Sequence, residues 1–346
     1  MKKTQATIVD IAHALNISPS TVSRALKDHP RISKKTREAV KALAKELDYQ
    51  PNPLALSLLN RRTHTIGVIL PEITHHFFSA AISGIQETAL AAGYNVMFCQ
   101  SNERQEQEEA AATTLLRNKV DGLLASITRE TKSDEHFEAF RRRGVPVVFF
   151  DRAPETQGVS KVVVDDYDGA FQAVEHLIER GARRIAHLMG SESLPISHER
   201  LQGYRAALKK HGLPTDEELI GYTNIEREQT RAATEKLLAL PQPPDGIFAF
   251  NDYIALFTLQ LLRERKIRIP EDIALVGFSN DPLGTIVEPH LTTIAQPAFE
   301  MGQTATRILL EQIEAGGDVE VEPTTTILRT HMIVRGSSVP EAEALL

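Results

Sequence analysis

The sequence predicts an α/β protein with a small three-helix head and a larger body of two lobes, each a parallel sheet covered by helices. Three observations carry this. Residues 1–50 hold three short amphipathic helix patterns with capping residues and no strand-like run. From Thr65 onward, apolar runs of strand length alternate with helical stretches, and the series is long enough for two sheets. Charge divides at the same place: residues 1–62 hold 12 Lys+Arg and 5 Asp+Glu, a net of +7, while the remainder nets -14. The formal -7 of the 346-residue chain thus hides a basic head on an acidic body, and a basic head suits phosphates. The length suits two or three domains. A single cysteine, Cys99, excludes an intramolecular disulfide framework, reads as a small core residue and fits a reducing cytoplasm. No apolar segment follows Met1-Lys2 and no run approaches a membrane span, so neither a secretory signal nor a membrane is expected.

In the head, Thr7 and Asp10 have capping-box spacing, and Ile8, Ile11, Ala12 and Leu15 then form one helical face. Asn16-Ile17 makes a turn. Ser18 is a natural N-cap with Pro19 at the first helical position. The second helix, Ser20 to Lys27, buries Val22, Ala25 and Leu26 and leaves Ser20, Thr21, Ser23 and Arg24 outward. A third runs from the Ser33 cap to Leu47, with Val40, Leu43, Ala44 and Leu47 inward. A short helix with an outward Ser/Thr/Arg face suits a major groove: hydroxyls reach phosphates or bases, and arginine grips a guanine edge in two places.

The stretch Ile8-Val9-Asp10-Ile11-Ala12, the run Ile17 to Leu26 and the closing Tyr49-Gln50-Pro51-Asn52 closely resemble the head of the lactose-repressor (LacI/GalR) family, and the likeness extends more loosely over the whole chain. It implies a helix-turn-helix DNA-binding head at 1–50, a hinge at 51–63 and an effector-binding body at 64–346. Thr7, Ser18, Ser20, Thr21, Ser23, Arg24, Asn52 and Leu58 are the residues expected to meet DNA. Two head positions depart from the family's usual pattern: Lys27 stands where Asn is common and Gln50 where Arg is common. The hinge, Pro51 to Arg62, is bounded by prolines and apolar in the middle. It reads either as a stiff linker packed on the body or, as the resemblance implies, as a helix whose Leu58 wedges a minor-groove base step open. The family usually has Arg two residues before that leucine, where this chain has Leu56.

In the body, strands are expected at Thr65–Leu70, Tyr94–Cys99, Gly122–Ser126 and Val145–Phe150, separated by helices at Phe77–Ala92, Gln105–Asn118 and Asp134–Arg143. A second set restarts at Lys161–Val164, followed by Ile185–Met189, Gly246–Phe250 and Ile273–Gly277. Helices Gly169–Arg180, Ser197–His211, Glu228–Leu240 and Asp252–Arg265 lie between. Such sheets bind ligands at the carboxyl ends of their strands, here facing an interlobe crevice. The resemblance implies a periplasmic-binding-protein-like body crossed three times by the chain, with crossings expected near Val162, Thr293 and Ile327. The N-lobe then takes about 64–162 and 294–326, and the C-lobe about 163–293 and 327–346.

Enzyme motifs fail. Neither G-x-G-x-x-G nor G-x-x-x-x-G-K-[ST] occurs, nor a G-x-S-x-G elbow, nor H-E-x-x-H. His75-His76 has no ligand cluster beside it in the sequence. The carboxylates Asp165 and Asp166 suit acid–base work or the acceptance of sugar hydroxyls, but no second catalytic group is placed by the sequence. No cofactor and no metal is expected.

Effector residues follow from the resemblance and the chemistry. Phe77 and Phe78 open the first body helix, where one ring can stack on a ligand and one is expected in the core. Arg200 stands in R-x-x-G-Y, with Gly203 and Tyr204, a strongly typical family pattern; its fork suits hydroxyls, a carboxylate or a phosphate. Asp151 and Asp165 end strands, and Asn251-Asp252 precedes a helix as a ligand pair or as simple capping. Ser279 stands where the family usually carries Asp, which weakens that acceptor or moves it to Asp281. The effector class expected is a sugar or sugar derivative, with an anionic one next, and a phosphocarrier protein as a third possibility. The tail from Ser337 lacks leucine heptads, so a homodimer on a palindromic double-stranded operator is expected.

Overall fold

The computed structural model describes residues 6–49, 62–156, 158–316 and 322–340. The hinge positions Asn52, Leu56 and Leu58 lie outside the described residues. Two compact units divide between His64 and Thr65.

The head unit contains α1 (Ile8–Ala14), α2 (Pro19–Leu26) and α3 (Lys34–Glu46). Each is capped by the side chain its sequence offers. Thr7 and Asp10 form the reciprocal box, with the Asp10 N–H donating to Thr7 Oγ1 at 3.3 Å and the Thr7 N–H to Asp10 Oδ2 at 2.7 Å. Ser18 and Ser33 accept from the Thr21 and Thr36 N–H groups, both at 3.2 Å. Ile11, Ala12, Val22, Ala25, Val40 and Ala44 make a small closed core. Leu47, expected inward, is 38% exposed as the C-cap of α3, because the helix ends one residue before it.

The body holds two six-stranded sheets. The first has the order β11-β5-β4-β3-β1-β2, made of β1 (Thr65–Leu70), β2 (Asn95–Gln100), β3 (Gly122–Ala125), β4 (Val147–Phe150), β5 (Ser160–Val164) and β11 (Thr325–Leu328). All its pairings are parallel. The second has the order β12-β10-β9-β8-β6-β7, made of β6 (Ile185–Met189), β7 (Ile220–Tyr222), β8 (Gly246–Ala249), β9 (Ala274–Ser279), β10 (Thr292–Ala295) and β12 (His331–Ile333). Only its β10–β12 pairing is antiparallel among those of the described residues. Central strands such as β1, β3 and β6 are buried along nearly their whole length, as strands covered on both faces must be.

Helices α4 (His76–Ala91), α5 (Gln105–Arg117) and α6 (Glu135–Arg141) cover the first sheet. Helices α7 (Asp166–Glu179), α8 (Pro195–Lys210), α9 (Arg227–Leu238) and α10 (Asp252–Glu264) cover the second. A helix not anticipated from the sequence, α11 (Ala298–Ala315), returns to the first lobe, where Met301, Ala305 and Leu309 pack with Ile66 and Val68. The strand at 160–164, expected to open the second set, instead pairs with β4 and β11 in the first sheet. The chain therefore crosses after Val164, after Ala295 and after Leu328, one to two residues later than expected at each place.

In the C-lobe, α7 and α8 lie so close that a Cβ at Gly203 would fall on the Tyr167 carbonyl oxygen, with Ala170 Cβ at 2.9 Å and the Phe171 nitrogen at 3.0 Å. The Tyr204 hydroxyl beside it donates to the Ile185 carbonyl at 2.8 Å and ties α8 to β6. Since backbone rather than a flexible side chain occupies that space, Gly203→Ala should destabilise the body by about 1–3 kcal/mol. Urea unfolding checks this; an unchanged midpoint contradicts it.

Candidate functional site

Two surfaces collect the residues singled out by sequence. On the head, α2 exposes Ser18, Ser20 and Arg24, while Thr21 and Ser23 are half-buried. The three hydroxyls at its start form one cluster: Ser18 Oγ lies 2.9 Å from Ser20 Oγ and 2.8 Å from Thr21 Oγ1. Arg24 folds along the helix, its Nε donating to the Ser20 carbonyl at 3.1 Å and Nη2 approaching Ser20 Oγ at 3.4 Å. No acidic partner neutralises it among the described residues. Thr7 is exposed, but its hydroxyl donates to Asp10 at 2.7 Å, so its first duty is capping. Just past α2, Asp28 is held by Lys41 of α3 at 2.6 Å, which ties the turn between the two helices.

The second surface is the crevice between the lobes. Phe77, Phe78, Asp151, Arg200, Asn251, Asp252 and Ser279 all line it. Asp165 does not. It is exposed, caps α7 by accepting from the Asp168 N–H at 2.8 Å, and borders a separate hollow beside β5 and β11. Its neighbour Asp166 turns inward instead. Arg200 donates from Nε to Asp166 Oδ1 at 2.8 Å, its Nη2 lies 2.7 Å from the same oxygen, and Nη1 donates to the Phe250 carbonyl at 2.5 Å. Its guanidinium sits 3.7 Å from the Phe278 ring centroid and 4.5 Å from that of Phe250. Both members of the pair are almost wholly buried.

Sequence reasoning missed several walls of the crevice: His75, Glu103, Arg152, Tyr253 and Gln296. Arg152 donates to both oxygens of Glu103, at 2.8 and 3.0 Å, and lies 3.7 Å from Asp151. It follows Asp151 at the end of β4, and the strand-end rule that selected Asp151 applies equally to it. Phe78 is buried in the N-lobe core and Phe77 is half-buried, edge-on to it at 5.3 Å between centroids. Asn251 caps α10 by accepting from the Ile254 N–H at 3.0 Å. Asp252 accepts from the Asp281 N–H and the Thr293 hydroxyl, both at 2.6 Å, in space available only because position 277 is glycine: a Cβ there would strike Asp252 Oδ1. Ser279 and Asn280 have left-handed backbones, φ 137° and 61°. Arg335 braces that turn, donating to Asn280 Oδ1 at 2.8 Å and to the Leu291 carbonyl at 2.7 Å. Gln296, on the second crossing, donates from Nε2 to Ser279 Oγ at 3.1 Å, while its Oε1 is buried without a partner among the described residues.

The crevice is nearly closed. Its volume is about 70 Å³, against the 300–1,000 Å³ of ordinary ligand pockets, so a sugar-sized molecule enters only with the lobes further apart. Contacts across the mouth hold the lobes together. Arg129 of the N-lobe donates to the Asn224 carbonyl and lies 3.3 Å from Glu226, its own carbonyl accepts from the Ser193 hydroxyl, and the rings of His75 and Tyr253 meet edge-on at 5.0 Å. Cys99 is half-buried against the N-lobe core, which raises its thiol pKa through desolvation. Among the described residues no group of three or more His, Cys, Asp or Glu could hold a metal, and no helix is long and apolar enough to cross a membrane.

Burial raises the Asp151 pKa to about 7, with Arg152 opposing, and raises that of Asp252 to about 6. A carboxyl raised in the folded state binds more protons there than in the unfolded chain, so its contribution to stability falls as pH rises from about 4 toward about 7. Asp151→Asn removes that loss. The melting temperature of Asp151→Asn relative to the parent should therefore climb steadily from pH 4 to pH 7; a flat difference contradicts the burial argument.

Comparison with known proteins agrees with this architecture. Residues 7–52 match the family model described as bacterial regulatory proteins, lacI family, and residues 174–338 match a periplasmic binding protein-like domain. The chain is 34% identical over 337 residues to the HTH-type transcriptional repressor CytR of Escherichia coli (strain K12), covering 97% of each. It is similar to a lac repressor dimer bound to operator and the anti-inducer ONPF, with a TM-score of 0.86 and 26% identity, covering 97% of this chain and 100% of that one. It is also similar to a complex of the transcriptional regulator CelR with cellobiose, with a TM-score of 0.74 and 32% identity, covering 96% and 99%. These relatives are DNA-binding transcriptional regulators rather than enzymes. With its capped three-helix head and two crossed lobes, the chain belongs to the lacI family of bacterial regulatory proteins.

Proposed function

We propose that this protein is a transcriptional repressor that binds a palindromic operator as a homodimer, and that a small molecule held between its lobes sets its operator affinity. The observation that carries the reading is the α2 face, where Ser18, Ser20 and an Arg24 without an acidic partner among the described residues stand exposed, within a segment, residues 1–62, of net charge +7. The N-terminal half of such a helix is the part that meets base edges in a major groove. A family relative crystallised on operator and another in complex with cellobiose support the two halves of the reading. In this chain Phe77, Asp151, Asn251 and Ser279 are the side chains offered to the ligand, with Arg200, committed to Asp166, forming the wall behind them. An opening and closing crevice supplies the physical link: a ligand shifts the lobes only by as much as its affinities for the two arrangements differ, and the effect on operator binding is reciprocal.

Selection of binding sites from random duplexes tests the reading. A two-fold symmetric site should emerge, with affinity falling steeply as salt rises. Arg24→Ala should weaken binding by about 1–3 kcal/mol and relax preference at one base pair per half-site. Selection of no symmetric site by the parent chain, or an unchanged preference in the variant, contradicts the assignment of α2 as the reading helix.

A further inference from the structure

Beside β5 and β11 lies a hollow of about 350 Å³, the size of an ordinary ligand pocket in the same lobe arrangement that leaves the crevice only about 70 Å³. We propose that this hollow is a second binding site, separate from the crevice, for a primary amine carried on an aromatic stem. Its floor follows from the register of the first sheet. Phe149 of β4 packs in the core under α5 and α6, and the same face of the sheet continues from Phe149 to Lys161 of β5 and on to Thr325 of β11. Val163 and Ile327 are the next pair on that face, two residues along each strand. These four side chains line the hollow where a parallel sheet ordinarily meets a covering helix, and Ile327 is 58% exposed. The opposite wall belongs to the C-lobe: Tyr167 of α7, 40% exposed, with Pro195 and Ile196 at the start of α8.

Charge complementarity selects the occupant. Glu155, Asp165 and Glu199 stand exposed around the hollow and make no ion pair among the described residues, while Lys161 is the only cation that lines it among them. Asp151 adds a buried acceptor. It lines the hollow as well as the crevice, is 8% exposed and makes no side-chain hydrogen bond among the described residues, its contact with Arg152 Nε standing at 3.7 Å. Ionised carboxylates only accept, so they call for a charged donor, which an ammonium supplies. The strip of Val163 and Ile327 and the Tyr167 ring call for a flat apolar body, which an aromatic stem supplies. The buried ion pair partitions the two sites: Asp166 lines the hollow and Arg200 the crevice. Because the walls come from both lobes, an amine held between them binds the two lobe arrangements unequally and shifts the balance between them. That consequence for the operator rests on the reading that lobe arrangement sets operator affinity; binding in the hollow does not.

The test uses the full chain with tryptamine and tyramine, their N-acetyl derivatives, putrescine and Mg²⁺ as probes. Calorimetry gives the affinities, and operator affinity is followed in the same preparation. Tryptamine or tyramine should bind once per chain, more weakly as salt rises. The N-acetyl derivatives, which lack the charge, and putrescine and Mg²⁺, which lack the ring, should each be at least about tenfold weaker. Glu155→Gln together with Glu199→Gln should lower aromatic-amine affinity about tenfold, and Ile327→Ser should weaken it several-fold, while Ser279→Ala in the crevice leaves it unchanged. Three results overturn the proposal: neither aromatic amine binds; an acetylated derivative, putrescine or Mg²⁺ binds as tightly; or Ser279→Ala abolishes binding that the Glu155→Gln/Glu199→Gln variant retains in full. An aromatic amine that binds as described yet leaves operator affinity unmoved supports the site and contradicts its coupling to the operator, so the two failures are separable.

Discussion

The buried pair of Arg200 and Asp166 is the contact on which the C-lobe wall of the crevice depends. Removing two charges from water is expensive, and only close geometry with further hydrogen bonds offsets it. Here the guanidinium has both: two short contacts to one carboxylate oxygen, one to the Phe250 carbonyl, and aromatic rings on its faces. The pair joins four elements in one place. Asp166 opens α7 just after the first crossing, Arg200 lies on α8, Phe250 follows β8 and Phe278 lies on β9. The rest of the typical R-x-x-G-Y pattern follows from this. Gly203 lets α8 come close enough to α7 for the arginine to reach, and Tyr204 pins α8 to β6.

Against that fixed wall the N-lobe presents a second charge chain, and it continues across the mouth. Asp151, Arg152 and Glu103 sit at the floor; the Arg129 N–H donates to Glu103 at 2.9 Å, and the Arg129 side chain reaches Asn224 and Glu226 of the other lobe. A ligand that hydrogen-bonds Asp151 therefore touches the same chain of charges that bridges the lobes. This is a physical route by which occupancy and closure are connected, and it uses groups whose ion pairing already neutralises them.

What the sequence revealed and what it concealed have different physical origins. The head was legible because its signals are local: Thr7, Ser18 and Ser33 cap helices within three residues of themselves, and the apolar faces of α1 to α3 need no knowledge of the rest of the chain. The alternation of strands and helices was legible for the same reason. The long helix α11 escaped notice because its inward face is built partly from Ala298, Gly302, Ala305 and Thr306, which give little apolar contrast. The strand at 160–164 carries no mark of which sheet it joins; pairing with β4 and β11 decides that. The choice between Asp165 and Asp166 turns on a single residue of register at a crossing, where one carboxylate faces out to cap α7 and the next faces in to meet Arg200. Arg200 itself was found, but as a free fork for the ligand. Its commitment to Asp166 is a long-range contact that no spacing discloses.

The measurement that most directly tests this account is a double-mutant cycle on the buried pair. Arg200→Met and Asp166→Leu are made singly and together, and stability is measured by denaturant unfolding of the full chain. Each single change leaves a buried charge without its partner and should cost about 3–5 kcal/mol, while the double variant should cost less than either. A coupling of about 2 kcal/mol or more is the predicted result. Losses that simply add, to within about 0.5 kcal/mol, would show that the two residues do not act as a unit and would contradict the central claim.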